Sequence, residues 1–551
     1  MTMTRTRKIL LSAASAAVLM LGTAGLGAGS YALDLGGSAG TAGGATGGTG
    51  ATGTSGGTNA TGTADAKAGT GGVSASASSG ASASSSPGGS AGASSSAGSS
   101  AGIGSDGTAH ALSGSDAIAN GTNATTKSDA SASVSGGGTS AGTTAGTGAA
   151  VSGPGSAASA AGASAGLAND GTSATGQTSG SAAASLSGDG SGFAKSTSEA
   201  SNGQIGVSAA PSTGASANGS STGTLNGDGA IGVGTNAGVS SSVNGDGVST
   251  SASAGATGNL TGDGSVTTHN DATANAAVGD QNAGSTAKID GTLNGPGSIA
   301  TGAEANAAAG QTSDDGAAAA NVNGSPPTKG GWAAANSSVS GNLSGNGSID
   351  GQTGSTANAS FGGNTAGGSS MSHGTLNDSG TIGLDSHAFG SVAQTGDETD
   401  SMAGAGAGGQ VQGVGEVDTT SQTNVNGALN NGSTSEASAD GLDEAGKANP
   451  GVQARSDSFT KVVETPHMDM SITHSKSFAA DTGGDVATSH AFSKAKVIDS
   501  PGNISADTMV KTGANTLGEA QATANGTASA SWSPDTGADV SSGADTSADV
   551  Q

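Results

Sequence analysis

The sequence predicts a chain that is mostly β and irregular. It places a repetitive β-solenoid or a set of stacked short hairpins in the middle, with extensive low-complexity disorder around it. Three observations predict this. Gly supplies 105 of 551 residues, and Gly loses more backbone freedom on ordering than any other residue. Aromatic residues are 2% and hydrophobic residues 32%. Much of the latter is Ala, which buries little area and gains little from burial. Finally, a phrase built on Leu, Gly and Ile returns at near-constant spacing, which marks units that bury their apolar residues against a neighbour. A chain disordered throughout is the alternative favoured by the first two observations alone.

Residues 1–32 read as a secretory signal peptide. Arg5, Arg7 and Lys8 form its positive start, Ile9 to about Leu26 its apolar stretch, and Ser30 and Ala32 the small residues of a cleavage site. Gly22, Gly25 and Gly27 interrupt the apolar run and no basic flank follows it, which favours cleavage over a retained anchor. No later run approaches the ~20 apolar residues of a membrane helix. The mature chain is therefore expected to be exported, to the cell surface, the extracellular space or the periplasm, without a transmembrane helix.

From 33 to 184 the chain is almost entirely Gly, Ala, Ser and Thr. Its larger aliphatics are Leu33, Leu35, Val73, Ile103, Leu112, Ile118, Val134, Val151 and Leu167. So few anchors do not offset the ordering entropy of a globular domain, and a disordered, solvated region is expected.

The phrase occupies 185–440. Its copies begin at Leu186, Leu225, Val243, Leu260, Leu293, Leu343 and Leu376, and include "LNGDGAI", "LNGPGSI" and "LSGNGSI". The steps are 39, 18, 17, 33, 50 and 33 residues, which apart from the first lie close to multiples of 17. "AVGDQ" at 277–281 stands where a skipped copy would fall. Gly holds the fifth position in every copy, and large aliphatics recur six apart, as in Leu293 and Ile299. Two geometries fit. In one extended strand, Leu, both Gly and Ile share a face. In a hairpin, "NGDG" is the tip, because Asn-Gly and Asp-Gly favour positive φ. The cost of Gly inside a strand favours the hairpin.

Composition changes at 450–512, where Phe459, Phe478 and Phe492 join Lys461, Lys476, Lys494 and Lys496. Phe459, Lys461 and Val463 alternate with Thr460, Val462 and Glu464, which predicts a small C-terminal β segment. Residues 513–551 return to low complexity, with Trp532 the only aromatic side chain.

The formal net charge is −26, so nucleic acid is not an expected partner. Cys is absent, which excludes disulfides, thiolate metal sites and Cys nucleophiles. The best metal-ligand candidates are His467, Met468, Met470 and His474 in "PHMDMSITH", a thioether and imidazole set suited to copper(I). On a strand, however, His467 and Asp469 face away from Met468 and Met470, so no metal site is assigned. The "GDG" turns are similar to calcium-binding nonapeptide repeats, but lack their tandem spacing, and two copies carry no acid. No cofactor is assigned, calcium being the one alternative. No arrangement of Ser, His and acid singles out a catalytic residue, and few side chains are available to hold a pocket rigid. The chain is expected not to be an enzyme.

"GTLNGPGSI" and "GNLSGNGSI" resemble rungs of repetitive β-helical bacterial surface adhesins, of the autotransporter-passenger or haemagglutinin-like type. The resemblance covers 186–382. It implies a parallel β-helix displayed at the bacterial surface and concerned with adhesion. Residues 450–551 depart from it, since they lack the alternating strands and aromatic girdles of a membrane barrel. The expected function is an exported structural or adhesive protein, with self-association, surface glycans, or host or envelope proteins as partners. A disordered hydrating spacer is the alternative, and an ice- or calcium-binding repeat protein a further one.

Overall fold

The computed structural model describes twenty-three strands and the turns at 362–363, 397, 466–467, 482–485 and 518–519. Residues 1–43, which include the expected leader, lie outside the described residues, as do residue 551 and the remaining segments between strands. Among the described residues there is no helix.

Six strands organise the molecule: β11 (Ser212–Asn244), β12 (Gly247–Val278), β13 (Gln281–Thr312), β14 (Gly330–Phe361), β15 (Asn364–Thr395) and β16 (Glu398–Asn426). Each is about 30 residues long, and each pairs antiparallel with the next. Every pairing loses register once, near the middle: at Asn226/Ala230, Leu260/Ser265, Asn294/Ser298, Leu343/Ser348 and Asn377/Thr381. These positions are the repeated phrase.

The strands bend there and fold back on themselves. The Ser337 hydroxyl donates to the Gly354 carbonyl at 3.1 Å, and the Ser370 hydroxyl to the His387 carbonyl at 2.8 Å. Each of these pairs lies within one strand. Seventeen residues of straight strand would span about 56 Å, so only a reversal brings them together. The phrase is thus neither a flat strand nor, in most copies, a hairpin tip. It is a corner, and the two halves of each strand lie in two facing layers.

Shorter strands extend the layers in both directions. Layer I runs β2 (Gly56–Lys67), β3 (Ser74–Ser85), β6 (Thr125–Gly136), β7 (Thr139–Ser152) and β10 (Ser191–Asn202) to the first half of β11. Layer II runs β1 (Gly44–Gly53), β4 (Ser90–Ala101), β5 (Ala109–Thr122), β8 (Pro154–Asn169) and β9 (Ser173–Gly188) to the second half of β11. Beyond β16, layer II continues with β18 (Gly451–Thr465), β19 (Met468–Asp481), β20 (Val486–Ser500) and β21 (Asn503–Leu517). Layer I continues with β17 (Asn431–Asp440), β23 (Gly537–Val550) and β22 (Ala520–Ser533). All pairings are antiparallel except β17 with β23. The result is one sheet folded lengthwise and left open at both ends.

Strand β17 and the C-terminal strands carry the chain past the repeated region, and the stretch from 513 forms the end of β21 together with β22 and β23. In the Gly/Ala/Ser/Thr-rich region, strands β1 to β9 are 10 to 16 residues long. On β7, β8 and β9, Ala149, Ala157 and Ala184 are buried.

The phrase now has a physical reading. Its first Gly is a seat. A β-carbon on Gly341 would lie 2.8 Å from Ile349 Cδ1, across the fold of its own strand. Gly223 with Ile231, Gly258 with Val266, Gly374 with Ile382 and Gly409 with Val417 repeat the relation. Large residues thus sit opposite none, which lets the layers close. The third residue makes the bend and takes positive φ at Gly262, Gly295, Gly345 and Gly413, and at Asp378 (φ 67). The fifth Gly lies against a carbonyl of the adjacent strand: Thr261 for Gly229, Ser344 for Gly297, Thr292 for Gly347 and Gln412 for Gly380. Any side chain there would strike that oxygen, which accounts for Gly at this position in these corners.

The aliphatics make the core. Nine side chains are the largest fully buried ones, and all but Ile289 belong to the phrase: Leu225, Ile231, Leu260, Leu293, Ile299, Leu343, Ile349 and Leu376. Burying each contributes about 1.5–3 kcal/mol. Away from the corner the interior is Ala, Ser, Thr and Gly, and hydroxyls bridge the layers. Ser421 and Ser458 meet at 2.8 Å, Thr423 and Thr460 at 2.7 Å, and Ser471 and Ser542 at 2.6 Å. Layers this close lie well inside the ~10 Å of ordinary sheet packing. Pairing these hydroxyls offsets their desolvation, whereas Ser198, Ser285, Ser456 and Ser475 are buried without a hydroxyl partner among the described residues.

The remaining copies differ. Val243 pairs with Val248 and Asn244 with Gly247, so that copy is a two-residue hairpin of the expected kind. Val278 and Gln281 pair likewise at the degenerate copy. Corners and hairpins therefore alternate, about 17 residues apart, along β11 to β13. "GQVQGVGEV" at 409–417, with Val411 and Val417 buried, is a further corner that the Leu/Ile pattern overlooks.

Candidate binding trough on the outer face of layer II

The outer face of layer II carries a depression across β15, β16, β18 and β19. Its floor is backbone, because Gly383 and Gly408 put no outward side chain there. Inner aliphatics Ile382 and Leu384 lie directly beneath. Around the floor stand Asp385, Gln410, Gln412, Gln453, Arg455 and Phe478, enclosing about 600 Å³.

Register places these groups together. Gly383 pairs with Gln410 and Asp385 with Gly408; Gln410 pairs with Gln453 and Gly408 with Arg455; Arg455 pairs with Phe478. Side chains directly opposite on one face lie about 4.5–5.5 Å apart. Asp385, Arg455 and Phe478 thus form one row and Gln410 and Gln453 the next. Arg455 Nε donates to Asp457 Oδ2 at 2.9 Å, and that pairing holds its guanidinium above the ordinary range. The packed surroundings push the Asp385 carboxyl up, against the opposing pull of His387 and Arg455.

The rows below carry aromatic side chains together with Asp457 and Lys476. Phe389 lies over Gly404, and His387 over Gly406, a covering that restores packing where a strand lacks side chains. Phe459, His474 and Phe492 follow across β18, β19 and β20. Met402, Lys461, Ile472, Lys494 and Met509 make the next row. Lys461 Nζ donates to Asp400 Oδ2 at 2.6 Å.

The metal-ligand candidates do not converge. His467 lies in the turn before β19, exposed, with its Nδ1 donating to the Asp499 carbonyl at 3.2 Å. Met468 and Met470 sit on the outward side of β19 with His474. Seven residues of strand separate His467 from His474 by about 23 Å. His474 is half-buried between Phe459 and Phe492, and burial lowers its pKa. Asp457 opposes that shift, while Lys476 and His490 add to it. Among the described residues, no three His, Asp or Glu side chains are grouped to hold an ion.

Nor do the "GDG" acids form a ladder. Along the corner ridge, the position before the fifth residue reads Asp228, Asp263, Pro296, Asn346, Ser379 and Val414. Asp263, Pro296 and Asn346 are exposed, as a solvent-facing tip requires. The corner's backbone groups are met by neighbouring hydroxyls instead: Ala230 N–H donates to Thr261 Oγ1 at 2.9 Å, and Gly345 N–H to Ser379 Oγ at 3.1 Å.

A smaller depression of about 270 Å³ lies on layer I beside Ser220, His269, Asp290 and Asp350. Its charges are already paired. His269 Nδ1 contacts Asp290, Lys288 Nζ lies 3.1 Å from Asp290, and His373 Nε2 lies 3.3 Å from Asp350.

The trough differs in chemistry. Three planar amides each offer donor and acceptor atoms, the Arg455 guanidinium offers the donors that Asp457 does not take, and Phe478 offers an aromatic ring. Of these residues only Phe478 stands out in the sequence. The one visible signal is "GAGAGGQVQG", where alternation puts Gly and Gln on one face and Ala and Val on the other. Set against known protein families, characterised proteins and solved structures, the chain matches none.

Proposed function

We propose that this is an exported, non-enzymatic protein of the bacterial surface or extracellular matrix, and that the layer II trough holds a polyhydroxylated ligand such as a surface glycan. The observation that carries this is the trough's lining. Gln410, Gln412, Gln453, Asp385 and Arg455 offer planar hydrogen-bonding groups around a flat floor, with Phe478 at one side. A pyranose ring has one C–H face suited to an aromatic ring and a rim of hydroxyls that both donate and accept. Binding sites combine apolar lining with a few directed polar groups in this way. The leader sequence supports delivery outside the cell, and the long folded sheet supplies a scaffold for display.

The test is binding of the full chain to immobilised polysaccharides, with the variants Phe478→Ala and Gln453→Ala. We expect saturable binding that weakens about tenfold with each loss of 1.4 kcal/mol, while His373→Gln on layer I leaves it unchanged. Equal binding by Phe478→Ala and the unaltered protein would remove the trough from the account. Export is tested separately: mature protein beginning near Leu33 is expected outside the cytoplasm, and full-length protein retained inside would overturn that part.

A further inference from the structure

Among the described residues, the folded sheet has four open edges, two at each end. At the C-terminal end, layer II stops at β21, which pairs only with β20, and layer I stops at β22, which pairs only with β23. At the N-terminal end, β1 pairs only with β4 and β2 only with β3. Each end therefore presents one unpaired strand per layer, in the same two-layer cross-section.

Open edges are ordinarily blocked by Lys, Pro, bulges or extreme shortness. Such devices are nearly absent here. Strand β22 has 14 residues with no charge and no Pro, and pairs with β23 without a register shift. Strand β1 has neither charge nor Pro, and β2 carries only Asp65 and Lys67, towards its end. Strand β21 carries only Asp507 and Lys511. In a chain of net charge −26, β1 and β22 carry no charge, and β2 and β21 each carry one acid and one base.

Exposed apolar side chains concentrate at the same place. Of six large hydrophobics exposed among the described residues, four lie on β21: Ile504, Met509, Val510 and Leu517. Leu517 is 66% exposed. The opposite end is Gly, Ala, Ser and Thr. Inside the molecule, that combination is how large residues are accommodated: Ile349 sits on Gly341, and Trp332 on Gly310.

We infer that copies of this chain add end to end, with β21 and β22 of one copy pairing with β1 and β2 of the next. The contact continues both layers at once and places the β21 apolar side chains over the small-residue strands. Because the two surfaces differ, the contact is heterologous, and because it continues an open sheet from one end to the other it generates a filament and not a closed dimer. Each copy lengthens the filament by about 70 Å, from fifteen strands of layer II at ~4.8 Å spacing. The copies repel through their net charge, and salt screens that repulsion, so assembly is faster at physiological than at low ionic strength. None of this depends on the trough, which lies on an outer face away from both ends.

The experiment is sedimentation and negative-stain electron microscopy of the full chain over a concentration series at low and physiological salt. The variants are Met509→Lys with Leu517→Lys on β21, and Met371→Lys on β15, whose side chain is also exposed but lies away from the ends. Thermal melts establish that each variant folds. The expected result is salt-promoted linear particles for the unaltered chain and Met371→Lys, and single copies for the β21 double variant. A species that stops at two copies shows the like ends pairing and overturns the inference. So do single copies under every condition, or equal loss of assembly in Met371→Lys.

Discussion

A β-carbon placed on Gly291 would lie 2.5 Å from the Cδ1 atom of Ile299, eight residues ahead in the same strand. In a straight strand those residues stand about 26 Å apart. The corner brings them into contact, and the absent side chain of one is the space filled by the other. From this relation the stability of the molecule can be probed one position at a time.

Gly291→Ala is expected to force Ile299 off its seat. Overpacking of this kind costs about 1–3 kcal/mol, read as a lower midpoint in thermal or denaturant unfolding. Gly232→Ala is the comparison, because nothing lies within 4 Å of its added carbon. A loss at Gly232 equal to that at Gly291 would mean that strand entropy, not the seat, sets the effect.

Leu343→Ala removes one of the largest buried side chains. A large-to-small change in a core that cannot collapse costs about 2–5 kcal/mol. Leu517→Ala, with its side chain exposed on β21, is expected to leave the midpoint of the isolated copy nearly unmoved.

Asp378 occupies the bend position that is Gly in other corners, with φ 67. Asp tolerates this region better than branched residues do. Asp378→Gly is expected to hold or raise the midpoint, and Asp378→Val to lower it by about 1–2 kcal/mol. A stabilising Val would contradict the left-handed bend.

Titration gives an independent check. Burial lowers the His474 pKa from its ordinary 6.5, so the folded state disfavours the imidazolium. Its contribution is complete above 6.5 and is lost as pH falls through the lower folded value. Asp385 and Asp469 run the other way. Burial raises both above the ordinary 3.8, so stability rises as pH falls through their raised folded values towards 3.8. Melts of His474→Gln should show a shallower loss on acidification from pH 7. Asp385→Asn should melt higher than the unaltered protein at pH 7 and gain less on acidification. An unchanged pH profile in both would exclude these groups as its source.

Amide exchange should rank the strands. The centres of β12 to β15, next to the buried Leu and Ile, are expected to exchange slowest. Strands β1 to β6, with almost no aliphatics, are expected to exchange fastest. Uniform protection along the chain would show that hydroxyl bridges and small residues hold the layers as well as Leu and Ile do.

The β character and the importance of the phrase are legible in the sequence because both depend on local residue type. Leu293 and Ile299 are six apart, and strand alternation puts them on one face whether the chain runs straight or bends. That same parity hides the corner. What distinguishes the two cases is the i to i+8 contact of Gly291 with Ile299, which depends on the layers closing. The hairpin at Val243 is read correctly because its turn is local, and the corner at Val411 is passed over because Val replaces Leu and Ile. The trough is less legible still. Gln410, Gln453 and Phe478 are far apart in sequence, and only the register of three strands places them side by side.

The alternation of corners and hairpins also restricts how such a chain can change in length. Strand β11 ends in layer II, β12 in layer I and β13 in layer II again, so each strand delivers the chain to the opposite layer from the one before. Removing a single strand would leave the next one entering from the wrong side and running in the wrong direction. Removing β12 and β13 together would leave β11 facing β14 with both polarity and layer preserved. Insertions and deletions that keep the cross-section therefore come in pairs of strands, and a gene encoding this architecture can grow or shrink by even steps only.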